Sequence, residues 1–134
     1  IEHRNGDKTA VYATEGHYKR SVAESGSCVM SSGAHYAEFL ITGGPYIGIV
    51  RPMPGLDASA GDFCFIGDDH SFFPDFLAQR SDDWGNSEVH ACEFDCESGK
   101  MSSTNWVDHE ILYEWEGMES CQSGDTVGML LNLD

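Results

Sequence analysis

Tyr36-Ala37-Glu38-Phe39-Leu40-Ile41-Thr42-Gly43-Gly44-Pro45-Tyr46-Ile47-Gly48-Ile49-Val50 reads as two short alternating runs hinged on Gly-Gly-Pro. In an extended chain successive side chains point to opposite faces, so Ala37, Phe39 and Ile41 are expected to share a buried face while Tyr36, Glu38 and Leu40 look the other way. The same spacing of two returns at Val127, Met129 and Leu131, behind a Gly124-Asp125 turn. A strand that is apolar on one face buries that face against a second sheet. The expected fold is therefore all-β, an antiparallel β-sandwich.

Working outward, the candidate strands are Thr9 to Glu15, Tyr18 to Ala23, Cys28 to Met30, Tyr36 to Thr42, Tyr46 to Val50, Val89 to Cys96 and Thr126 to Leu133. No window keeps apolar residues at three-and-four spacing for several turns, so helices are expected to be scarce. Between Arg51 and Ser87 the chain is punctuated by Pro52, Pro54, Gly55, Gly61, Gly67, Pro74 and Gly85. That punctuation predicts loops, with a short strand at Phe63-Cys64-Phe65-Ile66 or a helical turn near Phe76-Leu77-Ala78. Phe63, Phe65, Phe72, Phe73, Phe76 and Trp84 give the segment apolar area to bury, which argues for order. A chain of 134 residues reads as one domain spanning 1–134. It begins with Ile1 and a polar stretch without a signal-peptide pattern, and reads as excised from something longer.

The 23 Asp and Glu against 7 Lys and Arg give a formal net charge of -16. Such a surface repels phosphate backbones, so nucleic acid is not expected as a partner, while a basic peptide or protein surface is attracted. The longest apolar stretches are strand-sized and broken by Gly or Pro, and no membrane span is expected. Five cysteines, Cys28, Cys64, Cys92, Cys96 and Cys121, make an odd number, and no Asn-x-Ser/Thr sequon is present. Both features favour an intracellular setting, cytoplasmic or nuclear. Cys92 and Cys96 lie four apart on one strand, which puts them about 13 Å from each other, too far for a disulfide or a shared metal. They read as small buried hydrophobes.

Ser31-Ser32-Gly33-Ala34-His35-Tyr36-Ala37-Glu38-Phe39-Leu40-Ile41 resembles the Ser-Gly-x-His-Tyr-Trp-Glu-Val-x-Val strand of the SPRY (B30.2) domain family. Tyr46-Ile47-Gly48-Ile49-Val50-Arg51 resembles the next strand of that family, an aromatic followed by Ile-Gly-Val-x-Arg. Gly124-Asp125-Thr126-Val127-Gly128-Met129-Leu130-Leu131-Asn132-Leu133-Asp134 resembles its Gly-Asp-x-Ile-Gly-x-x-Leu-Asp strand. The three segments stand in the family's order. The resemblance implies a concanavalin-like jelly roll of SPRY type that presents inter-strand loops to a peptide or protein partner, without a chemical step. Two departures stand out. The family's Trp is Ala37 here, leaving its volume to a neighbour such as Trp106 or Trp115. The family also continues past the position of Asp134 with a Val-x-Asn-Gly strand and a final aromatic strand, so the sandwich is expected to be incomplete at its C-terminus, with exposed edges.

Enzyme signatures are lacking: the sequence holds no Gly-x-Ser-x-Gly elbow, no phosphate-binding Gly-x-x-x-x-Gly-Lys-Ser/Thr and no His-Glu-x-x-His. No catalytic residue, metal ligand or cofactor is expected, and Asp68-Asp69-His70, outside any EF-hand spacing, reads as a solvated acidic turn. The paired acids Glu93 and Asp95, or Glu114 and Glu116, keep a carbohydrate-binding or glycosidase-like lectin-type sandwich as the alternative function. Aromatic and Arg side chains near loops are the candidates for ligand contact. These are Tyr46 beside Gly43-Gly44-Pro45, Arg51 at the start of the long irregular segment, and Trp84 within Ser81-Asp82-Asp83-Trp84-Gly85. Tyr113 and Trp115 complete the set: on an extended Tyr113-Glu114-Trp115 they face together, either into the core or, on an open face, as a stacking platform.

Overall fold

The computed structural model describes residues 2–3, 11–12, 22, 29–56, 65–66, 73–82, 89–105, 111–113 and 119–134. These residues form mostly strands. In chain order they are β1 (Glu2–His3), β2 (Val11–Tyr12), β3 (Ala34–Leu40), β4 (Tyr46–Val50), a six-residue helix α1 (Phe73–Ala78), β5 (Val89–Asp95), β6 (Lys100–Asn105), β7 (Ile111–Tyr113) and β8 (Thr126–Asn132). Every pairing is antiparallel: β1 with β2, β3 with β8, and β4-β5-β6-β7 as a four-stranded sheet.

The expected alternation is present in β3 and β8. All seven residues of β3 pair with β8, from Ala34 opposite Asn132 to Leu40 opposite Thr126, and in both strands exposed and half-buried residues alternate without a break. Ala37, Phe39, Val127, Met129 and Leu131 lie on the half-buried face, and Ile41, just beyond the end of β3, is fully buried. Phe39 and Val127 pack with Ile47, Ile41, Phe94, Cys96 and Cys121 in one apolar cluster, which joins β3–β8 to β4 and β5. A second cluster contains Phe65, Ile66, Phe76 and Ala91, with Val22, Met53, Leu56 and Phe73 against it.

The polar ladder of the β3–β8 pair is closed at both ends by the residues of the two motifs. At one end Leu133 N–H donates to the Gly33 carbonyl, Gly33 N–H donates to Asp134 Oδ1 at 3.1 Å, and His35 Nε2 donates to the Ser32 carbonyl at 2.8 Å. At the other, Ile41 N–H donates to the Asp125 carbonyl and Gly124 N–H to the Ile41 carbonyl. The Asp125 carboxylate accepts from Gln122 N–H at 2.7 Å, so one side chain holds the turn that starts β8.

The structure corrects several strand boundaries. Val29 and Met30 lie outside any strand, Val22 likewise, and Phe65 and Ile66 form a bend rather than a strand. Only Val11–Tyr12 of the Thr9 to Glu15 segment is a described strand. The helical turn at Phe76-Leu77-Ala78 is the end of α1, which starts one residue before Pro74, a residue suited to a first turn because it has no N–H to satisfy. Strands β6 and β7 were not anticipated. β6, Lys-Met-Ser-Ser-Thr-Asn, has no apolar alternation, yet Ser102, Ser103 and Thr104 are buried in the middle of the sheet. The backbones of Ser102 and Ser103 are paired with both β5 and β7, that of Thr104 with β5, and the Thr104 hydroxyl meets the Phe65 carbonyl and His90, which offsets the cost of burying polar atoms.

Val89 to Cys96 departs from simple alternation. A bulge between Val89 and Ala91 leaves both His90 and Ala91 buried. The His90 ring lies 5.0 Å from that of Phe76, and its Nε2 is 2.9 Å from Thr104 Oγ1, which is itself 3.3 Å from the Phe65 carbonyl. Burial disfavours the charged imidazolium and holds His90 down at a pKa of about 4, so this ring is neutral at pH 7.

Candidate functional site

Antiparallel pairing brings three connections to one end of the molecule: residues 41–45 between β3 and β4, residues 96–99 between β5 and β6, and residues 119–125 leading into β8. They are bonded to one another. Cys96 N–H donates to the Pro45 carbonyl at 3.1 Å, and Cys121 N–H donates to the Cys96 carbonyl at 2.6 Å. With the two bonds between Ile41 and Gly124–Asp125, the three loops form a continuous surface.

The middle loop is shaped by its own residues. Asp95 Oδ1 accepts from Glu97 N–H at 2.9 Å and its Oδ2 from the Ser98 hydroxyl at 2.6 Å, while Gly99 N–H returns to the Asp95 carbonyl at 2.9 Å. Gly99 has φ of 73°, and a Cβ there would come within 2.9 Å of the backbone of Glu119 and Ser120, so a left-handed glycine is what lets the third loop close against the second. Glu97 covers Gly44 in the same way, its Cβ 3.1 Å from where a side chain would start.

What this surface offers is acidic and aromatic. Glu97, Glu119 and Asp125 are exposed and Asp95 is half-buried, Lys100 starts β6 beside them, and Tyr46, opposite Asp95, is 60 % exposed. Leu40, paired with Thr126 at the same end, is 74 % exposed. Along the outer face of β3–β8 the apolar exposure continues through Tyr36 and its cross-strand partner Leu130. The Tyr36 hydroxyl donates to Glu38 Oε1 at 3.0 Å, and that bond, with the adjacent carboxylate charge, raises the phenol above its usual range.

Of the expected contact residues, Tyr46 and Arg51 do not converge. Tyr46 opens β4 and Arg51 follows its last residue, so they lie at opposite ends of the strand, roughly 16 Å apart at 3.3 Å per residue. Arg51 is half-buried, its backbone N–H donating to the His90 carbonyl at 2.8 Å and its Nε to the Val89 carbonyl at 3.3 Å. These bonds to the bulged end of β5 give the guanidinium a structural role. Tyr113 closes β7, opposite Met101. Trp84 and Trp115 lie outside the described residues, as do Trp106 and Asp68-Asp69-His70. Leu40, Glu97 and Asp125 were not anticipated as surface contacts, although Glu97-Ser98-Gly99 and Ser123-Gly124-Asp125 carry recognisable turn chemistry.

Among the described residues no three His, Cys, Asp or Glu side chains are grouped to hold a metal ion, and no helix is long and apolar enough to cross a membrane. Comparison with known proteins finds no family model, no curated protein and no solved structure that matches the chain.

Proposed function

We propose that this chain is a recognition module without a chemical step, a SPRY-like β-sandwich that binds a basic peptide or protein surface through the loop end around Tyr46. The observation that carries this reading is the joining of three loops by hydrogen bonds into one acidic surface, at whose edge the exposed Tyr46 pairs across the strands with Asp95. Tyrosine supplies large contact area at low cost in side-chain entropy and is enriched at interface hot spots. The carboxylates, in a chain of net charge -16, steer a cationic partner and disfavour an anionic one.

The SPRY-like reading of the fold draws support from how the motif residues are used. The segments around 31–41 and 124–134, far apart in sequence, are each other's sheet neighbours along their whole length, and Gly33 is bonded to Asp134. A cluster that takes Phe39 and Val127 from one sheet and Ile47 and Phe94 from the other is the contact a two-layer sandwich needs.

Peptide arrays containing basic, neutral and acidic sequences, run beside a glycan array, test the reading. The expected result is salt-sensitive binding to basic peptides, weakened at least tenfold by Tyr46→Ala, the size of loss seen when a tyrosine anchor is truncated. Arg51→Ala, at the other end of β4, is expected to leave affinity within about twofold. Binding to glycans alone, or peptide binding indifferent to both Tyr46→Ala and salt, overturns the proposal.

A further inference from the structure

Beneath the loop surface lie two thiols from distant parts of the chain. Cys96 follows the last residue of β5 and has no exposed surface, whereas Cys121, in the loop before β8, is half-buried between exposed Ser120 and Gln122. Their backbones are joined by the 2.6 Å bond from Cys121 N–H to the Cys96 carbonyl. A single backbone bond holds the two residues side by side, at the close approach that a disulfide needs. The side chains also come together: Cys121 packs against the apolar cluster formed by Ile41, Phe94 and Cys96. Both are free thiols.

We infer that Cys96 and Cys121 form a reversible dithiol–disulfide pair that staples the 119–125 loop to the end of β5. The oxidant is a small-molecule disulfide. Exposure sets the order of events: the Cys121 thiolate attacks one sulfur of the external disulfide, whose S–S bond breaks, and one small thiol leaves. The Cys96 thiolate then attacks Cys121 Sγ in the mixed disulfide, the internal S–S bond forms, and the second small thiol leaves. Two protein thiols are oxidised, one external disulfide is reduced to two thiols, and the two protons given up by the protein are taken up by the leaving thiolates.

Cys92 is a poor partner for Cys96. Cys92 lies four residues from Cys96 on the same strand, about 13 Å away along it. The environment also slows the second step: burial, with Cys121 alongside, pushes the Cys96 thiol up to about 11, so ring closure is faster at pH 9 than at pH 7.

The test uses the full chain and hydroxyethyl disulfide, a neutral reagent that the acidic loops do not repel. After alkylation and tryptic digestion, the expected product is residues 81–100 linked to 101–134, retained in Cys92→Ser and absent in Cys96→Ser. Closing a loop of roughly 25 residues is expected to raise Tm by about 10 °C over dithiothreitol-treated protein. That rise disappears in Cys121→Ser. Full alkylation of Cys96 and Cys121 with no linked peptide, or a link between these two peptides that survives Cys96→Ser, overturns the inference. Should Cys121→Ser fail to fold, the wild-type linkage map and the oxidised-minus-reduced Tm decide alone.

Discussion

The β3–β8 pair and strand β5, inside the four-stranded sheet, differ in how many of their faces are covered. Residues on the outer face of β3–β8 are open, with Tyr36 64 % and Leu130 69 % exposed, whereas β5 sends Phe94 into one apolar cluster and Ala91 into the other. A half-covered pair keeps strict alternation of exposure along both strands. A strand covered on both sides loses it: His90 and Ala91 are both buried, and Cys92, Glu93 and Asp95 are all half-buried. The same backbone geometry thus gives two different sequence patterns, according to what lies on each face.

A glycine sits at the centre of a strand in each region, and the largest expected effect comes from the inner one. A Cβ at Gly48 would run into the Cys92 carbonyl oxygen and lie 2.8 Å from the Glu93 Cα, both backbone atoms of β5. Backbone cannot turn aside as a side-chain tip can, so Gly48→Ala has to push β4 and β5 apart. A loss of about 3 kcal/mol in urea unfolding is expected, a large share of a typical domain's stability. A near-neutral Gly48→Ala would mean that the two strands are not held in this register.

The inner sheet also carries the pH dependence. His90 has a pKa of about 4 in the folded chain against about 6.5 when unfolded, so between these values the unfolded state binds more protons. Its contribution is complete above pH 6.5, declines as pH falls, and is fully lost below pH 4. The expected amount is on the order of 2–3 kcal/mol. Many carboxylates titrate over the same window, and His90→Gln isolates the histidine: urea midpoints at pH 7, 5.5 and 4 should fall more steeply for the wild type than for the variant. Parallel curves would remove His90 from the acid response.

These two regions also account for what the sequence makes legible. The quoted run from Tyr36 to Val50 and the segment after Gly124 show alternation, turn glycines and Asp125, and each has the expected place in the fold. β6 was hidden because Ser102, Ser103 and Thr104 carry no apolar signal, and their burial depends on neighbours on both sides that no local window contains. The second cluster was hidden in part for the same reason: Phe65 and Ile66 are apolar but sit in a bend that packs on Phe76 from α1 and Ala91 from β5. Tyr46 was legible as a surface aromatic beside a Gly-Gly-Pro turn. Its acidic neighbours Glu97 and Asp125 belong to loops whose meeting is set by sheet order, which composition does not encode. Cys96 and Cys121 illustrate the same limit, since a nearest-in-sequence search pairs Cys96 with Cys92.

The smallest expected effect is at the outer glycine, where a similar motif has a different physical cause. A Cβ at Gly128 would lie 2.6 Å from the Tyr36 hydroxyl and 3.1 Å and 3.2 Å from ring carbons of the same side chain. Tyr36 is mostly exposed, so its ring can swing out, giving up a surface hydrogen bond to Glu38. Replacing a strand glycine by alanine removes freedom from the unfolded chain, which offsets that loss, and Gly128→Ala is expected to change stability by less than about 1 kcal/mol. The local change has its own signature. Once the ring leaves Glu38, the bond that raises its phenol is gone, and the absorbance titration of Gly128→Ala should show one tyrosine ionising at lower pH than in the wild type. A loss as large as that at Gly48 would instead show that the outer face holds Tyr36 in place, and the contrast between an open and a covered face would fail there.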